Sequence, residues 1–373
     1  MRATKVHFAS SDSADMYYMV QCRIPDPFFV IDSGREKKVF LNVLEIDAFR
    51  ERNTNDTFEV IPVEPLMKKA KAIDGKGSRA AKLAYVIFEQ YDLLKKEITV
   101  PREFPLDVAD YLRSKGAVLN VSHPFIHERA TKTAEEIELL RENLKKTTKG
   151  FELVEKILRA AKIKDDSLFH DGKELTSEYI KDEVEKSLFL EGMEDVEGMI
   201  LSSGKQSAMP HHKGEGSIKP NTAIICDIFF RDRKNRYFGD MTRTYVKGTP
   251  TEKVRQMHET VKNSQDAAFA AIRPGALAKH VFEASAKAIR DAGFDVGDKG
   301  YIHSLGHGLG LELHEAPNAG PNSEDVLEVG NVITIEPGLY YPEWGGVRIE
   351  DVIVVGEHGV ENLTNYHREY LIT

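Results

Sequence analysis

The segment "IHSLGHGLGLELHE", residues 302–315, sets histidines at 303, 307 and 314 around glycines at 306, 308 and 310. Imidazoles at this density can ligate a metal, and glycine leaves the backbone free to turn and to approach a ligand closely. A phosphate loop fails on spacing, because "GHGLG" lacks the G-x-G-x-x-G register and "SSGKQS" lacks the first glycine of a P-loop. Carboxylates elsewhere extend the chemistry. Asp227 and Asp240 sit in otherwise apolar runs, "IICDIFF" and "YFGDMTRT", joined by the polar "RDRKNR". A turn centred between Arg233 and Lys234 makes them directly opposed in a hairpin, with Cβ atoms about 4.5–5.5 Å apart. Two anions so placed repel unless cations lie between them. The plainer alternative is a pair of turn-flanking carboxylates with "RDRKNR" as a solvated loop.

"ITIEPGLYYPEWGGVRIEDVIVV" repeats the theme, placing Glu336 and Glu350 among strand-forming residues. A buried carboxylate requires a partner. Arg348 lies two residues before Glu350, hence on its face of a strand, so an Arg–Glu ion pair explains Glu350 alone. It does not explain Glu336 together with the two aspartates, and each added carboxylate favours a polycationic centre. Asp351 points to the opposite face and is the weaker ligand candidate. His211, in the loop "SAMPHHKG", is a further site candidate. His258, His280, His358 and His367 read as ordinary structural histidines.

The elements that must position these groups form two domains, the number that 373 residues suggest at about 150 residues per domain. Residues 16–122 alternate "MYYMVQC", "FFVID", "KKVFLNV", "FEVIPV", "EITV" and "AVLNVS" with helical patterns such as "SRAAKLAYVIFEQY", which predicts a small α/β domain over residues 1–126. After "SHPFIHERATKT" an amphipathic helix begins, with Thr133 and Glu136 at capping-box spacing and Gly150 as a point that divides it in two. Helices at "SEYIKDEVEKSLFL", "PTEKVRQMHETVKNSQDAAFAAI" and "LAKHVFEASAKAIRDAG" alternate with β-rich runs, which predicts an α+β catalytic domain over residues 127–373 with a hint of internal pseudo-symmetry.

A net charge of −9 without a long basic face argues against nucleic-acid binding. Two cysteines are too few for a disulfide framework and fit a reducing compartment. The amino-terminal stretch lacks a secretory h-region, and no uninterrupted apolar run reaches membrane-spanning length. The expectation is a cytoplasmic protein with no membrane partner.

Taken in order, "CDIFF…YFGDMTRT", "HSLGHGLGLELHE", "TIEPG" and "GVRIED" resemble the pita-bread metallopeptidases, and the added amino-terminal domain resembles the prolidase, aminopeptidase P and creatinase branch. The resemblance covers nearly the whole chain. It implies a pita-bread catalytic domain and a dinuclear site with Asp227, Asp240, His307, Glu336 and Glu350 as ligands. Asp240 and Glu350 would bridge two divalent ions, with Asp227 on one and His307 and Glu336 on the other. The oxygen-rich set favours Mn²⁺, with Co²⁺ or Zn²⁺ as substitutes. The thirteen-residue separation of the aspartates is longer than in many members.

It further implies Glu336 as proton acceptor, His303 and His314 beside the reacting bond, and His211 and Arg348 on the substrate's ends. The implied activity is hydrolysis of the bond before proline, in Xaa-Pro dipeptides or, as in aminopeptidase P, in longer peptides, by a homodimer. Creatinase-like metal-free chemistry or a non-catalytic binding role would go with lost ligands, and all five are present.

Overall fold

In the computed structural model, which describes residues 3–54 and 57–372, the amino-terminal alternation of apolar strands and helices forms one mixed sheet. Its elements are β1 (Thr4–Ala9), α1 (Ala14–Val20), β2 (Phe28–Asp32), β3 (Lys37–Leu41), α2 (Val43–Arg52), β4 (Phe58–Pro62), α3 (Glu64–Lys71), α4 (Arg79–Gln90), β5 (Glu97–Pro101), α5 (Leu106–Ser114) and β6 (Val118–Ser122). The strand order is β4-β3-β2-β1-β5-β6. The first five residues of "MYYMVQC" are helical, contrary to its β-rich composition. The Ser13 side chain caps α1 by accepting from the Met16 N–H, and Met16, Met19 and Val20 bury one helical face. The first compact unit ends at His127 and the second begins at Glu128.

The second unit opens with α6 (Ala134–Ala160), started by the full capping box of Thr133 and Glu136. The helix runs unbroken through Gly150, so the expected division does not occur. Gly150 is a packing residue: a Cβ there would lie 2.9 Å from Ile228 Cδ1 and 3.2 Å from Leu188 Cδ1. Next come β7 (Lys162–Lys164), β8 (Ser167–His170), β9 (Lys173–Glu174), α7 (Ser177–Leu190), β10 (Met193–Glu194), β11 (Ile200–Ser203) and a short 3₁₀ turn, Gly204–Ala208.

The long hairpin β12 (Ile224–Asp232) and β13 (Phe238–Lys247) pairs Asp227 with Thr242 and Asp240 with Phe229. The two aspartates are therefore diagonal neighbours and not directly opposed. The loop closes later than the charged run suggests, because the Asp232 N–H donates to the Tyr237 carbonyl at 3.0 Å. The Asp232 carboxylate accepts from the N–H groups of Lys234 and Asn235, and Arg236 takes a left-handed φ of 68°. The register moves by two residues, which keeps both carboxylates on one face.

The remaining elements are α8 (Glu252–Ala271), α9 (Ala278–Asp291), β14 (His307–Gly308), β15 (Glu315–Asn318), β16 (Val332–Ile335), β17 (Gly338–Tyr341), β18 (Gly345–Arg348), β19 (Asp351–Gly356), β20 (Gly359–Asn362) and β21 (Leu371–Ile372). Strand β16 pairs with β19 in one sheet, whereas β17 pairs with β18 alone. Glu336 and Glu350 fall in the breaks between these strands and not within them. At each break the chain leaves one sheet for the other, and the freed backbone is satisfied locally: Glu336 N–H donates to Leu305 O at 2.7 Å, and Glu350 N–H to Thr242 O at 3.0 Å.

Gly239, next to Asp240, is where α6 presses on the hairpin; a Cβ there would meet Thr147 Oγ1 and, at 2.9 Å, the Asn143 carbonyl oxygen. Gly239→Ala should cost about 1–3 kcal/mol by overpacking against rigid backbone. Gly150→Ala should cost less, since it meets only side-chain tips and gains up to about 1 kcal/mol of helix propensity. Chemical denaturation of both variants checks the order, and an equal loss would refute the packing assignment.

Candidate metal centre

Three elements bring Asp240, His307 and Glu350 together. Asp240 comes from β13, His307 from β14, and Glu350 from the break before β19. One ligating atom from each lies within 4.8 Å of the other two, the one such group of three among the described residues. Glu336 stands beside them, with Oε1 3.4 Å from His307 Nε2, and Asp240 Oδ2 lies 3.8 Å from the same nitrogen. Asp227 is outside this tight group. Its Oδ2 accepts from Arg348 Nη2 at 2.5 Å, while its Oδ1 is buried with no hydrogen-bond partner.

The proton inventory shows what this arrangement lacks. His307 Nδ1 lies 3.2 Å from the Gly308 carbonyl oxygen, which can only accept, so Nδ1 carries the hydrogen and Nε2 presents a lone pair. Burial, then the neighbouring His314, holds His307 down to about 3, so the ring is neutral. A lone pair thus faces three carboxyl groups, and only protons taken up by them or cations placed among them relieve the crowding. Burial raises Asp240 well above the usual carboxylate range, with Asp227 and Glu336 adding repulsion. Glu350 is raised in the same way by burial, Asp240 and Glu336, and Glu336 is pushed up to about 8 by burial first. The orphaned Asp227 Oδ1 and the crowded carboxyls beside an open imidazole nitrogen fit divalent cations.

A ring of hydrogen bonds fixes these groups. Thr242 Oγ1 donates to Glu350 Oε2 at 2.8 Å. Arg243 is 1% exposed and donates to the Glu350 carbonyl at 2.7 Å and to Asp351 Oδ1 at 2.7 Å. Asp351 is thereby an ion-pair partner on the far face of the strand, as its alternation implies. Arg348 pairs with Asp227 and not with Glu350. Its remaining bonds run from Nη1 to Tyr340 OH at 2.8 Å, from Nη1 to Pro210 O at 3.4 Å and from Nε to Thr242 Oγ1 at 3.3 Å. It is buried, so any effect on substrate passes through Asp227 and the loop after Pro210.

The His303 ring has its Nδ1 on the Ser304 carbonyl at 2.7 Å and its Nε2 3.0 Å from Tyr340 OH. By the same proton argument Nε2 accepts from the tyrosine. Burial holds His303 down to about 4, with the Arg348 charge acting in the same sense. The His314 ring lies 4.2 Å from that of His307, and His314 and His211 are both exposed.

Thr242, Arg243 and Tyr340 went unnoticed in the sequence. Thr242 follows Asp240 by two residues and shares its face, which was a readable signal. Tyr340 carried none. The glycines of residues 306–310 make close approaches with ordinary backbone angles. A Cβ on Gly306 or Gly308 would strike the carbonyl oxygens of Thr334 or Ala316, so these residues seat β14 between its neighbours.

Residues 138–357 match the model of metallopeptidase family M24. The chain belongs to this family. Membership implies an enzyme that uses divalent metal ions. The M24 chain is 38% identical over 345 residues to the Xaa-Pro dipeptidase of Pyrococcus furiosus, an alignment covering 92% of this chain and 88% of the relative. It is similar to the solved prolidase from Pyrococcus furiosus at a TM-score of 0.78 and 27% identity, over 98% of this chain and 97% of that one. Its likeness to the X-Pro aminopeptidase of Thermotoga maritima, TM-score 0.77 at 23% identity over 99% of this chain and 97% of that one, is one of fold alone. These whole-chain likenesses carry the two-domain pita-bread fold. No helix among the described residues is long and apolar enough to cross a membrane.

Chelated protein should show the repulsion directly. Glu336 titrates near 4.5 when unfolded and at about 8 when folded, so between these values the folded chain holds the extra proton. Stability is then present in acid and is lost as pH rises through about 8. The melting temperature of metal-free protein should fall from pH 5 to pH 8, Glu336→Gln should flatten that fall, and added divalent cation should reverse it. A flat profile for the metal-free parent would contradict the crowding.

Proposed function

We propose that the chain is a dinuclear, metal-dependent Xaa-Pro dipeptidase. The carrying observation is the neutral His307 lone pair facing Asp240 and Glu336 beside Glu350. Asp227, through its unpartnered Oδ1, together with Asp240, His307, Glu336 and Glu350, would hold the ions. Four carboxylates and one imidazole make a hard donor set that suits Mn²⁺, with Co²⁺ or Zn²⁺ as substitutes. When bound, the ions supply an ionised water at neutral pH and polarise the scissile carbonyl.

The chain's own groups do the rest. Glu336, 3.4 Å from His307 at the edge of the centre, takes the proton that the attacking water gives up. His303 has its Nε2 on Tyr340 and its Nδ1 on a carbonyl, so it orients the tyrosine and has no free N–H to give. The leaving nitrogen's proton therefore falls to His314, the exposed imidazole beside His307. Arg348 keeps Asp227 aimed and, through Pro210, holds the loop that presents His211 to the substrate. Proline's tertiary amide has no N–H, so recognition of the scissile bond cannot depend on that donor. Cytoplasmic location and a homodimer belong to the same proposal, supported by the low cysteine count and the family resemblance.

The test compares Xaa-Pro dipeptides with Xaa-Pro-Xaa tripeptides after chelation and Mn²⁺ readdition. Dipeptides should be preferred. Preference for tripeptides would move the assignment to an Xaa-Pro aminopeptidase, and no metal-dependent hydrolysis of either would sink it. Asp240→Ala should abolish both metal binding and turnover. His314→Ala should lower kcat by about 100-fold while metal stoichiometry stays that of the parent; an unchanged kcat would remove His314 from the mechanism.

A further inference from the structure

The loop bearing His314 is gripped from outside the metal centre by a cluster with no role in ligation. Lys132 has a side chain 1% exposed, and its Nζ donates to Glu315 Oε1 at 2.5 Å. Arg129 Nη2 donates to the other Glu315 oxygen at 2.5 Å and to Glu312 Oε2 at 2.6 Å. Glu315 immediately follows His314. The gripping segment is itself anchored: Lys132 N–H donates to Gly330 O at 2.9 Å, and Asn331 Nδ2 to Ala130 O at 3.0 Å.

The other end of the loop is tied to the strand of Asp240. Phe238 N–H donates to Gly310 O at 3.0 Å, and Gly310 lies so close to the Glu315 carboxylate that a Cβ would collide with Oε1. His314 stands between these two ties, with its ring 4.2 Å from that of His307. A buried lysine and arginine are a poor way to add stability, because desolvation offsets most of their attraction, whereas their directional bonds select one loop geometry.

We propose that Arg129 and Lys132 are positioning residues for the reaction: by holding Glu315 they fix the 310–315 loop and set His314 against the metal centre. This rests on the role given to His314 above. The variants are Lys132→Met and Arg129→Gln in the full-length, Mn²⁺-loaded protein. Lys132→Met/Glu315→Gln removes both charges of the pair and serves if a single variant does not fold.

Folded variants with the parent's metal content should lose about tenfold in kcat with little change in KM. The loss should vanish in a His314→Ala background, where a general loosening of the fold would multiply with it. Amide hydrogen exchange over 309–316 should quicken while the β12–β13 hairpin keeps the parent's rate. Unchanged kcat, multiplicative losses or unchanged exchange in this loop would each overturn the proposal. A parent that hydrolyses no Xaa-Pro dipeptide would refute the functional reading instead, and exchange over 309–316 would then decide the clamp by itself.

Discussion

The crowding of the carboxyl groups of buried Asp240 and Glu350 and half-buried Glu336, with the His307 lone pair among them, is the constraint around which the second unit is organised. Like charges out of water repel strongly, so a chain that gathers them must hold their backbones in place by other means. Arg243 supplies much of that restraint. Its guanidinium bonds the carbonyls of Thr242, Glu350, His367 and Tyr366 and the carboxylate of Asp351. Those acceptors come from β13, from the break before β19 with that strand's first residue, and from the carboxyl-terminal segment. One buried cation thus ties three stretches of chain together on the side away from the metal centre. Arg348 does the corresponding job for Asp227, consuming one carboxylate oxygen and leaving the other free.

Much of this was legible because face and alternation survive small errors of register. Asp227 and Asp240 share a face whether they are opposed or diagonal, since a two-residue slip preserves the period of a strand. Their exact pairing was not legible, because it depends on the Asp232 side chain capping the turn, a local competition between side chain and backbone that charge pattern does not reveal. The placement of Glu336 and Glu350 failed for a different reason. Their β-branched neighbours promise continuous strands, yet the chain changes sheets at both residues, and tertiary pairing decides that. Arg348 illustrates the same limit: alternation puts it on the face of Glu350, but its nearest anion comes from a strand 121 residues away. Gly150 and "MYYMVQC" show propensity overridden by packing and by a cap.

The histidine-rich stretch divides by proton inventory more sharply than by spacing. Three imidazoles in twelve residues look equivalent in sequence. In the fold each meets a different second partner, and that partner sets the tautomer. His303 is closed at both nitrogens by Ser304 and Tyr340, and His307 is closed at Nδ1 and open at Nε2. His314 remains exposed to solvent. Those surroundings differ for each ring, and the glycines contribute by letting β14 lie between β15 and β16.

The fold keeps soft donors away from the carboxylate cluster as well as bringing hard ones together. Cys226 neighbours Asp227 in sequence and would add a soft donor if it faced the centre. Strand alternation turns it the other way, into the apolar cluster with Ile224, Ile228 and Met241. There burial pushes its thiol well above the ordinary value, which removes the thiolate that a soft metal requires. Cys22 lies in a separate apolar cluster of the first unit. With both sulfurs excluded by packing, the donors left to the centre are carboxylate oxygens and one imidazole nitrogen. The hairpin's alternation thus keeps the thiol that a thiophilic ion prefers away from these carboxyl groups.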